Sequence, residues 1–78
     1  MAYVNLGAIQ RRPLLKKGSR HSSVKELQSL LRARTAAGDL LPMTGVFDAL
    51  TVEAVKQFQN ANGLTPDGIV GKNTWTKL

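Results

Sequence analysis

The chain writes one short pattern twice. Thr44-Gly45-Val46-Phe47-Asp48-Ala49-Leu50-Thr51 and Asp67-Gly68-Ile69-Val70-Gly71-Lys72-Asn73-Thr74 share a glycine in second place, two apolar residues after it and a threonine at the end. Such a string predicts a tight turn that opens into a helix. A second echo joins Val24-Lys25-Glu26-Leu27-Gln28 to Val55-Lys56-Gln57-Phe58-Gln59, so one helix type is also used twice. The spacing is too short and irregular for a solenoid. It describes one small domain built from a duplicated turn and helix.

The periodicity places the helices. Val24, Leu27, Leu30 and Leu31 fall on one face of a first helix over about 22–35, and Ser23 followed by Glu26 has the form of a capping box. Arg32 and Arg34 offset the negative end of its dipole, and Gly38 ends the element or closely follows its end. The stretch 39–47 reads as a loop with room for a small hairpin. Asp48 is placed to cap a second helix that runs to residue 60 or 62, with Thr51, Ala54, Val55, Phe58 and Ala61 as its buried stripe. Gly63 stands where a left-handed exit needs a residue without Cβ. Thr65-Pro66-Asp67-Gly68 reads as a turn before a short third helix over 72–78, where Trp75 and Leu78 share a face and close the core. Pro13 marks the edge of the compact part, with Leu14-Leu15 reaching inward before a turn at Gly18-Ser19. The expected fold class is all-α, a three-helix bundle over 13–78 preceded by a loosely ordered or docked arm over 1–12.

Composition narrows what such a bundle can do. Its 78 residues suffice for one domain near the lower size limit for unaided folding, and the chain has no cysteine, which excludes disulfides, thiolate zinc sites and thiol nucleophiles. No apolar run approaches the length of a membrane span, and the first ten residues lack the pattern of a signal peptide. The net charge of +6 is lopsided. Arg11, Arg12, Lys16, Lys17, Arg20, Lys25, Arg32 and Arg34 face Glu26 alone in the first part of the chain. Such a half attracts polyanions: nucleic acid, anionic lipid or anionic wall polymer.

Catalytic parts are hard to assemble from this inventory. His21 is the single histidine and sits in a loop, with no second nitrogen or sulfur ligand in view to complete a zinc site. Asp39, Asp48 and Asp67 all lie in turns, where aspartate binds its own loop's backbone. A glycosidase needs two carboxyls held at a set separation across a cleft, for which this chain has little scaffold. Gly68-Ile69-Val70-Gly71-Lys72 lacks the spacing of a phosphate-binding loop. The expectation is a module with no catalytic residue, metal or cofactor.

Four side chains are expected to serve mainly the structure. Gln28 and Gln59 hold equivalent places beside the apolar stripes and can pin loop backbone to the helices. Phe58 is expected in the core and Trp75 mostly so, whereas Phe47 is the aromatic best placed to line a groove beside the second helix. Gly45, Gly63 and Gly68 serve the turns.

Gly18-Ser19, Val24-x-x-Leu27-Gln28-x-x-Leu31, Gly45-x-Phe47, Thr51-x-x-Ala54-Val55-x-x-Phe58-Gln59, Gly63-Leu64, Asp67-Gly68-Ile69-Val70-Gly71 and Thr74-Trp75-x-x-Leu78 together resemble the peptidoglycan-binding domain that accompanies bacterial and phage wall hydrolases. The resemblance covers roughly residues 13 to 78, and its specificity lies in the order and spacing of the pieces. It implies a monomeric three-helix module, such as the accessory domain of an endolysin or amidase, that binds peptidoglycan as glycan or stem peptide and holds an attached or partner hydrolase on its polymer. Anionic wall polymers would add to the attraction. Arg20, His21, Phe47, Asp48, Thr51 and Asn73 become candidate ligand contacts near the helix starts, and the place of action becomes the cell envelope or the extracellular side, including action by a phage-encoded protein. Two positions depart from the family pattern: Thr44 stands where aspartate is usual, and Asp48 where glycine is usual. Two other readings remain: a protein-interaction module in a phage or envelope assembly, and a basic nucleic-acid-binding domain. The second is weakened because the second helix mixes Lys56, Gln57 and Asn60 with Glu53.

Overall fold

The computed structural model of the chain describes residues 13–35 and 41–78. Those residues form three helices, α1 (Ser22–Arg34), α2 (Ala49–Ala61) and α3 (Lys72–Lys77), and no strands. The expected arm over 1–12 and the segment around Gly38 lie outside the described residues. No helix among the described residues is long and apolar enough to cross a membrane.

The apolar spacing read from the sequence becomes the contact between α1 and α2. Val24, Leu27 and Leu31 from α1 and Ala54, Val55 and Phe58 from α2 are buried together, joined by Leu15, Leu41, Phe47, Val70 and Trp75. Each large apolar side chain so buried contributes about 1.5–3 kcal/mol, and in a domain this small the closure depends on nearly all of them. Two edges of the expected stripes differ: Leu30 is half-buried and Ala61 is exposed, because each lies at the margin of its helix's inward face.

The helix ends follow local chemistry. α1 is capped by His21, whose Nδ1 accepts from the Ser23 N–H at 3.0 Å. Ser23 is therefore a donor inside the first turn rather than the capping residue the sequence suggested. Asp48 caps α2 as expected, its Oδ1 accepting from the Thr51 N–H at 3.0 Å. At the far end of α2, Leu64 N–H returns to Gln59 O at 2.8 Å and Gly63 N–H to Asn60 O at 3.3 Å, with Gly63 at φ +72°, the geometry of a Schellman exit.

The segment before α1 ties the two turns together. Leu15 exchanges both backbone hydrogen bonds with Val70, at 3.1 and 2.8 Å. A few residues on, Gly18 N–H donates to Phe47 O at 2.9 Å and Phe47 N–H donates to Ser19 O at 3.0 Å. One short extended strip thus lies against both copies of the repeated turn, and Val46 bridges to Arg20 rather than within a hairpin of its own loop. Of the pair expected to reach inward, Leu15 does so, while Leu14 is 60% exposed because neighbouring side chains on an extended strip point to opposite sides. Trp75 closes the far side, its indole N–H donating to Pro13 O at 2.9 Å.

Candidate functional site

Both turns are held by a buried glutamine. Gln28 lies on the inward face of α1 next to Leu27, and its amide spans the first turn: Oε1 accepts from the Gly45 N–H at 3.0 Å, and Nε2 donates to Val46 O and Thr51 Oγ1, each at 3.0 Å. Gln59, one turn from the end of α2, does the same for the second. Its Oε1 accepts from the Gly68 N–H at 2.9 Å, and Nε2 donates to Ile69 O at 2.9 Å and Thr74 Oγ1 at 3.1 Å. A side-chain amide carries a donor and an acceptor on separate atoms at one tip, so it can satisfy a turn's N–H and C=O together. Every described buried side-chain polar atom has a partner.

The two units place their acid differently. In the first, Thr44 Oγ1 accepts from the Val46 N–H at 3.1 Å, and the carboxylate comes later, at Asp48, whose Oδ1 also accepts from the Thr51 hydroxyl at 2.9 Å. In the second, Asp67 Oδ1 takes the place of the threonine oxygen, accepting from Ile69 N–H at 2.9 Å and from Gln59 Nε2 at 3.0 Å. The Ile69 N–H is the main reason that the Asp67 carboxyl sits below the usual carboxylate range; desolvation opposes the shift and the Gln59 amide adds to it. The place equivalent to Asp48 is Gly71, which starts α3 without a side-chain cap.

Beside the second turn lies an open groove of about 530 Å³. Leu14, Leu64 and Ile69 give it apolar walls, and Thr65, Asp67 and Lys72 bring polar groups to it. Asn73 also lines it, and Gln59, Gly71 and Thr74 contribute at its base.

Among the residues singled out as ligand contacts, Asn73 is the one that lines this groove. Arg20, His21 and Asp48 gather instead around the first turn and the starts of α1 and α2. Phe47 does not line a groove: it is 1% exposed and belongs to the core, because the second apolar residue of each turn points inward, as Val70 does. Thr51 is fully buried, with its hydroxyl committed to Asp48 and Gln28. Leu14, Leu64, Thr65 and Lys72 were not singled out from the sequence. Projecting Asp48 and Thr51 of the first turn onto the second copy would have pointed to Gly71 and Thr74, which line the groove, while Leu14 depends on the pairing with Val70, which leaves no mark in sequence. Among the described residues no three His, Cys, Asp or Glu side chains gather to hold a metal.

The family model of the peptidoglycan binding domain matches residues 20–78. A Kitasatospora aureofaciens protein known as the uncharacterized protein in the bpoA1 3' region is 40% identical over 67 residues, 85% of this chain and 55% of that protein. The zinc D-Ala-D-Ala carboxypeptidase of Streptomyces albus G is 38% identical over 64 residues, 82% of this chain and 25% of that enzyme. The chain thus spans about half the length of the first relative and a quarter of the second. No solved structure matches the chain significantly.

Proposed function

The chain belongs to the peptidoglycan-binding domain family, and from that premise we propose that it holds bacterial wall polymer in the groove beside its second turn and keeps an attached or partner hydrolase on its substrate. The family is a non-catalytic binding domain, and this chain is a binding domain rather than an enzyme. The observation that carries the proposal is the family match, which takes in both glutamine-held turns and most of the groove. The likeness to a D-Ala-D-Ala carboxypeptidase over a quarter of that enzyme's length supports the hydrolase as the companion activity.

Tethering explains why a shallow groove suffices. A second binding event made intramolecular proceeds at an effective concentration of roughly millimolar for a short linker, so weak contacts accumulate into retention. Asn73 is the proposed contact within the groove; Arg20, His21 and Asp48 serve polymer that extends past it, and Phe47 and Thr51 act from beneath by holding the first turn. The basic first half adds attraction to anionic wall polymers, a contribution that fades as salt shortens the Debye length. The place of action is the cell envelope or the extracellular face of the wall, and the domain works as a monomer.

Co-sedimentation with purified sacculi, run beside duplex DNA across a salt series, tests the proposal. Retention on sacculi that persists at about half-molar salt, where exposed charge pairs are screened, is the expected outcome. Retention on DNA alone, falling steeply with salt, would assign the basic half to nucleic acid instead. Binding to neither would leave another protein as the partner.

A further inference from the structure

The groove's chemistry distinguishes the two components of the wall. Glycan is commonly gripped by flat aromatic faces, and among the described residues none is available: Phe47 is 1%, Phe58 2% and Trp75 6% exposed, with the Trp75 indole N–H committed to Pro13 O. The groove instead brings one cation, Lys72, and one anion, Asp67, to a space walled by Leu14, Leu64 and Ile69. An uncharged sugar would desolvate both charges without supplying a counter-charge to either.

We propose that this groove recognises the stem peptide of peptidoglycan, with Lys72 taking a peptide carboxylate, Asp67 taking the free amine of the diamino-acid residue, and Leu14 and Ile69 packing on the alanine methyl groups. The assignment rests on the wall-binding reading above and adds the ligand class. Three features fit it. A short peptide of this kind carries an ammonium and a carboxylate a few bonds apart, matching the pair of signs. Asp67 already commits Oδ1 to the Ile69 N–H and the Gln59 amide, which fixes the carboxylate's direction and keeps it ionised. The volume of about 530 Å³ lies within the range of sites that hold small ligands, roughly 300–1,000 Å³, and accommodates a few small residues.

The test is amide chemical-shift mapping of the full chain against two soluble probes, a stem tetrapeptide with a free diamino side chain and a glycan strand stripped of peptide with its lactyl carboxyls capped as amides, with sacculus sedimentation in parallel. The peptide should move resonances of residues 64–73 in a saturable way, and the stripped glycan should not. Lys72→Ala, an exposed change, should weaken the peptide about tenfold, as expected for one charge-assisted contact. Asp67→Asn keeps the oxygen that receives the Ile69 N–H; it should weaken the peptide similarly, yet leave unchanged the binding of a peptide whose side-chain amine is acetylated. Sacculus binding with shifts from the glycan alone, from neither probe, or at residues 44–51 would overturn the peptide assignment and leave wall binding standing. Loss of sacculus binding altogether would overturn both.

Discussion

The first and second turns share a glycine, a buried glutamine and a closing threonine, and differ in where the carboxylate sits. In the first, Asp48 spends Oδ1 on the Thr51 N–H and hydroxyl, which caps α2 and closes that helix start upon itself. In the second, the acid lies at Asp67 inside the turn, and Gly71 at the place of Asp48 leaves α3 without a side-chain cap and a groove beside it. Moving one carboxylate along the same scaffold thus separates a turn that serves stability from a turn that faces a cavity. The glutamine geometry is common to both because each turn has the same N–H and C=O to satisfy.

The largest test of that comparison is removal of the glutamines. Gln59→Leu leaves the Gly68 N–H, Ile69 C=O and Thr74 hydroxyl without their partner. At about 1–3 kcal/mol for each buried group so stranded, it should cost about 3–5 kcal/mol by denaturant unfolding. Against a total of roughly 4–12 kcal/mol for a domain of this length, that is a large fraction. Gln28→Leu should cost about 1 kcal/mol less, because Gly45 is half-buried where Gly68 is buried and water reaches the stranded groups more easily. An equal or greater loss at Gln28 would mean that burial is not what separates the two turns.

Glycine replacement probes the backbone of the same pair. Gly45 and Gly68 both sit at positive φ, +83° and +77°, so an alanine at either strains the chain by about 1–2 kcal/mol. A Cβ at Gly45 would meet open space, whereas at Gly68 it would lie 3.2 Å from Val52 Cγ1 and 3.4 Å from Lys56 Cε. Gly68→Ala should therefore exceed Gly45→Ala by about 1 kcal/mol in unfolding free energy, the low end of the range for overpacking. Equal penalties would show that α2 yields to the added methyl group.

The smallest expected effect concerns pH. The folded Asp67 carboxyl lies below its ordinary value of 3.8, so the stability it contributes is fully present above that value and is lost as pH falls through the lower folded value. Asp67→Thr, which copies the oxygen of Thr44, should keep the turn and flatten the acid limb of the stability profile. Thr44→Asp should steepen it. An acid limb that Asp67→Thr leaves unchanged would remove Asp67 as its source.

The extent to which all this was legible in sequence differs by region. α1 and α2 were readable because their apolar residues recur at helical spacing, and the exit at Gly63 because a left-handed residue after a helix favours glycine. The repeat also disclosed the equivalence of Gln28 and Gln59, since both follow a core residue by one place. The direction of Phe47 was not readable from its own loop: Val46-Phe47 offers two apolar neighbours, and chemistry alone favours neither as the inward one. The second copy resolves the choice, with Ile69 39% exposed and Val70 fully buried. A loop histidine such as His21 is read from sequence as exposed or helix-capping, but Ser23 and Glu26 fit a commoner pattern and draw the assignment of the cap to Ser23. The pairing of Leu15 with Val70 uses only main-chain atoms, so no side-chain pattern announced Leu14 as a groove residue.

The bond from the Trp75 indole to Pro13 O joins residues 62 positions apart in sequence. Such a clasp cannot form until Trp75 itself has left the ribosome, so its shutting follows the emergence of both longer helices. The fluorescence of this lone tryptophan therefore reports on the shutting itself.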